Sequence, residues 1–364
     1  MKHTISSRQL MTLTFVSMLS PFLRLVPATI AHHAGSAAWV SSILSIFPVL
    51  FLTALIERIL KTFPHFMGFS TVIPRILGSF IGKTVVFLWS VWLVFHSGFL
   101  LRSGADRFIA TIYPNSTPTV FILITILLCT VAAFGHIIPL ARSSELFRPL
   151  LIFVIVLVLG FTVEDVEPTF LLPATKSHIP GILSGLPLAA EAVSVALVNT
   201  AFLAKYVRRE EKQPRILPWL IGVTVLNTAL CAISVGSLGK TYTSALAYPF
   251  FIMARDLSVL SGVERIEALV VGLWLLPDFV LITVELIIAS DNLLELFGKS
   301  ESIPAKRICI LSAAALASLV AFRIAPNSQA MYQWSEKIIP AIHLSWAYLV
   351  IPLLWITSRI HRKF

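Results

Sequence analysis

The residues most able to do chemistry in this chain are a few ionisable side chains that lie inside long apolar segments. Arg24, Glu191, Asp278 and Glu285 are the clear cases. Each costs at least about 2.5–3.5 kcal/mol at the centre of a helix that faces lipid. We therefore expect these side chains to face a protein interior or a wet cavity, where they could hold the ionic groups of a small ligand. A position near the membrane surface, with the charge reaching water, is the alternative for Glu285.

One apolar segment carries such residues at a regular spacing. Glu267 is followed by Trp274, Asp278 and Glu285, which are 7, 11 and 18 residues further along. At about 100° per residue, these positions return to within about 20° of one direction on a helix. The pattern predicts an inward-facing stripe of three carboxylates and one indole. A packing face whose acids pair with neighbouring helices is the alternative.

Prolines interrupt two of the apolar segments. The first segment contains Ser20-Pro21 and Pro27, and the sixth contains Gly185-Leu186-Pro187 followed by Glu191. A proline inside a helix removes a backbone hydrogen bond. In inverted-repeat transporters the first helix and its counterpart five spans later are interrupted, and they form the substrate site. We therefore expect broken helices and a binding site at these two places.

The predicted ligand pocket lies at mid-depth between spans 1, 3, 6 and 8. Backbone N–H groups of residues 20–23 and the Arg24 cation would hold an anionic group, and Glu191 or Asp278 would receive an amine. His96 is either a packing residue or a proton relay. The predicted ligand-binding residues are Ser20, Pro21, Phe22, Leu23, Arg24, Phe95, His96, Phe99, Leu186, Pro187, Glu191, Trp274 and Asp278.

The elements that position these residues follow from composition. The chain has 364 residues, of which 57% are hydrophobic and 13% charged, whereas soluble domains average about 45–50% and about 25%. Because backbone groups in lipid must be satisfied within the segment, each long apolar run is a helix. The predicted fold is an all-α polytopic membrane protein with ten transmembrane helices in a five-plus-five inverted repeat, as one domain over 1–364. Repeat 1 covers about 9–163 and repeat 2 about 182–358. The predicted spans are 9–30, 37–60, 82–103, 118–138, 146–163, 182–204, 216–238, 264–290, 305–323 and 338–358.

Charge sets the predicted orientation. With both termini in the cytoplasm, 19 of the 28 Lys and Arg residues fall on the inner side and 8 on the outer side, and Arg24 lies within a span. This is the positive-inside bias, so the net charge of +10 does not indicate a nucleic-acid partner. The three cysteines fit neither a disulfide framework nor a zinc site. The sequence also lacks nucleotide-loop, zinc-protease and serine-hydrolase motifs. We expect no cofactor, no metal and no enzymatic activity.

Several motifs, in order, resemble one known family. They are the opening residues 5–10, Pro27, Ala38-Trp39-Val40, Glu191, Tyr248-Pro249 and residues 264–269 with Trp274. In these residues the chain resembles the B subunits of bacterial spore-germination nutrient receptors. These subunits are endospore permeases of the amino acid–polyamine–organocation superfamily. The similarity runs over about residues 5–360. The stretch 20–24 is bulkier and more cationic than the family's glycine-rich step, and relatives usually have neutral residues where this chain has Pro277-Asp278.

The resemblance implies a transporter-like fold in the spore inner membrane, in complex with a larger membrane A subunit and a lipoprotein C subunit. It implies binding of a small nutrient germinant, typically an amino acid, that triggers germination. One alternative is a proton-coupled amino-acid transporter that works through Glu191, Asp278 or His96. Another is a structural subunit whose inner charges pair with one another around a collapsed pocket.

Overall fold

The computed structural model describes residues 4–63, 67–172, 175–208, 216–261, 266–298, 302–325 and 328–361. Helices make up almost all of this part of the chain, and one isolated parallel bridge joins Ile5 to Val207. We number the principal helices α1 Ser7–Ala34, α2 Ile46–Thr62, α3 Ser79–Thr111, α4 Pro118–Phe134, α5 Ile137–Thr162, α6 Ile179–Leu203, α7 Ile216–Leu238, α8 Ile266–Leu296 and α9 Ile303–Arg323.

The last rod, α10, is built from five consecutive segments. It comprises Ser328–Gln333, Trp334–Ile338, Ile339–Ser345, Trp346–Val350 and Ile351–His361. The second and fourth segments are π-helical. A π-helical turn inserts an extra residue into the helix and is frequent at functional sites.

Local sequence explains where several helices begin. Ser6 caps α1, because its hydroxyl accepts from the Gln9 N–H at 3.0 Å while the Gln9 side chain accepts from the Ser6 N–H at 2.9 Å. Gly78, with φ of +84°, lets the chain turn between the short helix Phe69–Leu77 and α3. Pro118 starts α4, where its missing N–H is not needed.

The predicted breaks in the first and sixth helices are wrong. α1 is helical from Ser7 to Ala34 through two prolines, and α6 is helical from Ile179 to Leu203 through Pro187. A proline kinks a helix without ending it when neighbouring groups replace the lost hydrogen bond. The effect of Pro21 on α1 is local, because the missing N–H removes only the one helical hydrogen bond that the carbonyl of Ser17 would accept.

The core forms around α1, α3, α6 and α8. α1 lies along α6 and also packs against α5, α7 and α8, while α8 packs along α3. α3 runs to Thr111, eight residues beyond the predicted end of its span. This extension carries Arg107 into the interior, where only 2% of the residue is exposed.

In the described part of the chain, eight helical stretches are long and apolar enough to cross a membrane. α4 is apolar but shorter, with 17 residues. Each of the ten predicted spans overlaps one of the helices above, counting the short helix Ala38–Leu44 with α2. The all-α polytopic fold is confirmed, whereas the number of crossings, the side on which the termini lie and the two-repeat division stay predictions.

Candidate functional site

Asp278 on α8 is the centre of the first buried ionic group. Its carboxylate accepts a hydrogen bond from the Ser20 hydroxyl of α1, and Arg107 Nη2 of α3 donates to Asp278 Oδ2 at 2.6 Å. Only 3% of Asp278 is exposed. The guanidinium lies 4.9 Å from the centroid of the Trp274 ring, a distance that gives a favourable cation–π contact. We call Ser20, Arg107, Trp274 and Asp278 the upper ionic layer.

Two carboxylate–imidazole pairs form the middle ionic layer, which comprises His96, Ser97, Glu191, Glu285 and His343. His96 Nδ1 lies 2.7 Å from Glu285 Oε1, and the Ser97 hydroxyl donates to Glu285 Oε2 at 2.8 Å. Glu191 of α6 is hydrogen-bonded to His343 Nδ1 of α10. The two imidazole rings are 4.7 Å apart between centroids and nearly perpendicular.

Three members of the middle layer line a small cavity of about 30 Å³. Its polar wall is formed by Ser17, Ser335 and the layer members His96, Glu191 and His343. His343 Nε2 is buried and has no hydrogen-bond partner among the described residues. A cavity of this size accommodates one or two water molecules. The remaining wall residues are Met18, Pro21, Phe99, Ala192, Val195, Ala196, Leu281 and Ile339.

A third group of charges lies near the end of the bundle at which α1 starts. Asp291 accepts a hydrogen bond from the Tyr206 hydroxyl, and its Oδ1 lies 2.8 Å from Lys306 Nζ. Lys205 Nζ is 2.5 Å from Glu295 Oε1 and 3.5 Å from Asp291 Oδ2. We call Lys205, Tyr206, Asp291, Glu295 and Lys306 the lower ionic layer. At 1.5 Å per residue along α8, the three layers are about 9–11 Å apart.

The predicted pocket residues fall into three groups. Four of them line the cavity: Pro21, His96, Phe99 and Glu191. Ser20, Trp274 and Asp278 belong to the upper layer next to it. The others pack elsewhere or lie one turn away: Phe22 and Leu23 are buried along α1, Phe95 packs on Trp334 with centroids 4.9 Å apart, and Leu186 and Pro187 are half-buried before Glu191.

The side chains of Arg24 and Glu267 lie outside the described residues, so the proposed anion site at Arg24 stays a prediction. Asp278 is paired with Arg107 and Ser20. The three described members of the α8 stripe, Trp274, Asp278 and Glu285, are 1–3% exposed and face the interior.

The predicted pocket includes neither Arg107 nor His343. The predicted third span ends at residue 103, so Arg107 lies beyond it. Its signal was the helical continuation of that span. His343 was inside a predicted span, and its signal was that a histidine in an apolar helix needs a polar partner. In the structure two tryptophans of α3 pack on α10 near His343: the Trp92 ring centroid lies 5.6 Å from that of His343, and the Trp89 ring centroid lies 4.3 Å from that of Trp346.

The fold is that of transporters of the LeuT type. A crystal structure of MhsT in complex with L-phenylalanine is similar with a TM-score of 0.69 and 12% sequence identity, covering 99% of this chain and 96% of that chain. A substrate-bound, outward-open Na⁺-coupled sialic acid symporter is similar with a TM-score of 0.66 and 12% identity, covering 99% of this chain and 89% of that chain. These similarities show a LeuT-type fold, and the long apolar helices of the described residues are those of a multi-pass integral membrane protein.

The particular family follows from the sequence. The family model described as spore germination protein, the spore permeases, matches residues 4–329. The chain belongs to this family. A comparison with curated proteins finds no match. Family and fold are those of membrane permeases and transporters, so a membrane nutrient-sensing or transporter-like role is the function that they support.

Proposed function

We propose that this chain is the nutrient-binding subunit of a spore germination receptor in the spore inner membrane. A small germinant, an amino acid or a similar molecule, binds in the core beside the middle ionic layer. Binding changes the packing of the helices and passes a signal to the A-type membrane subunit and the C-type lipoprotein subunit. The proposal rests on membership in the spore germination family and on the cavity that buried acidic and basic side chains line.

The chemistry of the cavity suits a zwitterion. An amino acid carries one ammonium and one carboxylate, and it can insert between Glu191 and His343 so that both partners stay satisfied. The ammonium replaces the imidazole at Glu191. The carboxylate accepts a hydrogen bond from the His343 imidazole, whose Nε2 is buried without a partner among the described residues. Breaking a buried pair without such replacement costs several kcal/mol, so this exchange selects ligands with both charges.

Binding requires the cavity to grow. At about 30 Å³ it is smaller than the 300–1,000 Å³ of ordinary ligand pockets. The two π-helical segments of α10 lie on either side of the segment that carries His343. Pro21 weakens the α1 ladder on the opposite wall. These are the places at which the helices can yield to a ligand.

The test is germination of spores that carry Glu191→Gln. We expect the germinant concentration for half-maximal response to rise at least tenfold, because the neutral amide cannot pair with an ammonium. Glu57→Gln is the matched control, since Glu57 forms an ion pair with Lys61 at 2.9 Å on the exposed end of α2. An unchanged concentration dependence in Glu191→Gln, at normal protein level, would rule out this site.

A second candidate function is proton-coupled transport of an amino acid. Two imidazoles 4.7 Å apart, each paired with a carboxylate, form a chain of groups that can exchange a proton. Purified chain in vesicles should then accumulate labelled amino acid when a pH gradient is applied, and His96→Gln should abolish accumulation. Saturable binding without accumulation supports the sensor. No binding of any amino acid, sugar or nucleoside supports a structural subunit.

A further inference from the structure

A large groove on the outside of the bundle is separate from the ionic core. It lies between α1, α5 and the start of α7 and has a volume of about 1070 Å³. A second cavity of about 560 Å³ continues it between α5 and α7. The two share Phe15, Ile152, Val156 and Gly222, so they form one continuous channel along the surface. We call this channel the α1–α5–α7 groove.

The groove is charged at one end only. Arg8 and Arg148 line the end at which α1 starts, and Trp219 lies beside them. In the described part of the chain neither guanidinium is paired with a carboxylate. Arg148 donates to the Thr12 hydroxyl at 3.1 Å. The acid nearest to it along α5, Glu145, accepts from Gln9 at 3.1 Å.

The rest of the groove is apolar and long. From Trp219 to Ile233, which lines the far part, α7 covers 14 residues or about 21 Å. Half of a bilayer's hydrocarbon core is about 15 Å thick. Two glycines leave space inside the groove, because a Cβ atom added at Gly160 or Gly222 would meet nothing within 4 Å. The groove can therefore hold an extended acyl chain along its length.

We propose that the α1–α5–α7 groove binds an anionic phospholipid. The headgroup phosphate lies between Arg8 and Arg148, and one acyl chain lies along α5 and α7. Charge complementarity selects this occupant. Two guanidinium groups that have no carboxylate partner in the described part of the chain lie at the end of a long apolar channel, and an anionic phospholipid carries matching charge and chain in one molecule. Guanidinium binds phosphate oxygens with directed hydrogen bonds. A tryptophan at the charged end is typical of the membrane interface.

The site has a consequence for the helix that bears the germinant cavity. The groove is bounded by the first part of α1, and Ser17 and Pro21 further along the same helix line the cavity. An occupied groove therefore packs against the same helix that lines the cavity. The lipid site itself does not depend on the proposed function.

The test uses the fluorescence of Trp219 in purified full-length chain reconstituted in phosphatidylcholine vesicles. Phosphatidylglycerol with brominated acyl chains is added in increasing proportion, and the Trp219 signal is obtained by difference from Trp219→Phe. We expect half-maximal quenching at a several-fold lower fraction of brominated phosphatidylglycerol than of brominated phosphatidylcholine. Arg8→Gln should reduce this preference about fivefold, because one basic residue near an anionic surface contributes about that factor to the affinity.

Matched variants separate the groove from the general surface. Gly222→Leu fills the groove at an open position and should remove most of the quenching. Gly272→Leu is the control, because Gly272 also has open space around it on α8 and is not part of the groove lining. Arg58→Gln, at an exposed position near the end of α2, should keep the preference. Equal quenching by both brominated lipids in the unmodified chain, or quenching unchanged in Gly222→Leu, would overturn the proposal.

Discussion

At the scale of single residues, the core is organised by acid–base pairs that the apolar surroundings make necessary. Arg107 and Asp278 are each 2–3% exposed and joined at 2.6 Å. A buried pair gains little over apolar residues of similar size, but loss of one partner leaves an uncompensated charge and costs about 3–5 kcal/mol. The pair therefore fixes how α3 and α8 meet more than it adds stability.

Arg107→Met tests this pair. The variant leaves the Asp278 carboxylate with only the Ser20 hydroxyl as a described partner, so we expect a large fall in the thermal unfolding midpoint of the purified chain in detergent. The double variant Arg107→Met/Asp278→Leu removes both charges and should recover most of the loss. A double variant no more stable than the single one would show that the charges do not act as a pair. Arg102→Met, which breaks a half-exposed pair with Asp106, is the control and should change little.

At the scale of helices, a glycine sets the distance between α3 and α9. A Cβ atom added at Gly98 would lie 2.5 Å from the Ala317 carbonyl oxygen and 2.6 Å from Val320 Cβ. The buried residues of α9 include the alanines at 313, 314, 317 and 321. Small residues permit such close approach of helices in membranes. The separation of α3 and α9 thus depends on the absence of one methyl group.

Gly98→Ala should consequently destabilise the protein by about 1–3 kcal/mol, the usual cost of overpacking. Gly160→Ala is the matched control. It lies in a helix with open space around it and should gain up to about 1 kcal/mol from the lower backbone entropy of alanine. Unfolding midpoints of the two variants in the same detergent check both expectations, and a Gly98→Ala variant as stable as the control would contradict the close contact.

Helices also show what the sequence could predict. Apolar runs fixed the existence of the helices, and the 100° spacing placed Trp274, Asp278 and Glu285 on one interior face, as observed. The prolines predict helix breaks that do not occur. A proline removes one backbone hydrogen bond of α1, while packing against α6 still stabilises the helix. The sequence shows that His343 needs a polar partner, but the identity of that partner, Glu191, depends on the tertiary approach of residues 152 positions apart.

At the scale of the whole molecule, the three ionic layers divide the core along α8. The cavity of the middle layer lies between the upper layer at Asp278 and the lower layer at Asp291. The lower end is held further by the bridge between Ile5 and Val207, in which the Ile5 N–H donates to the Tyr206 carbonyl at 2.8 Å. The described ion pairs and this bridge therefore join helices on both sides of the cavity along α8.

Access to the cavity should then depend on either outer layer. A cysteine at Ser17, which lines the cavity and is 5% exposed, reports access in a background where Cys129, Cys231 and Cys309 are serine. In detergent we expect slow reaction with a polar maleimide in Ser17→Cys alone. Adding Asp291→Asn leaves Lys205 and Lys306 without their shared carboxylate, loosens the lower end and should raise the labelling rate at least tenfold.

The same reporter distinguishes gating from general loosening. Arg107→Met opens the upper layer and should also accelerate labelling of Ser17→Cys, whereas Glu57→Gln breaks a surface pair of α2 with Lys61 and should leave the rate unchanged. If a germinant binds in the cavity, its presence should slow the labelling in both opened variants, because ligand and maleimide compete for one space. Equal rates in the closed and opened variants would mean that the ionic layers do not control entry, since the helices would then admit the reagent by another route.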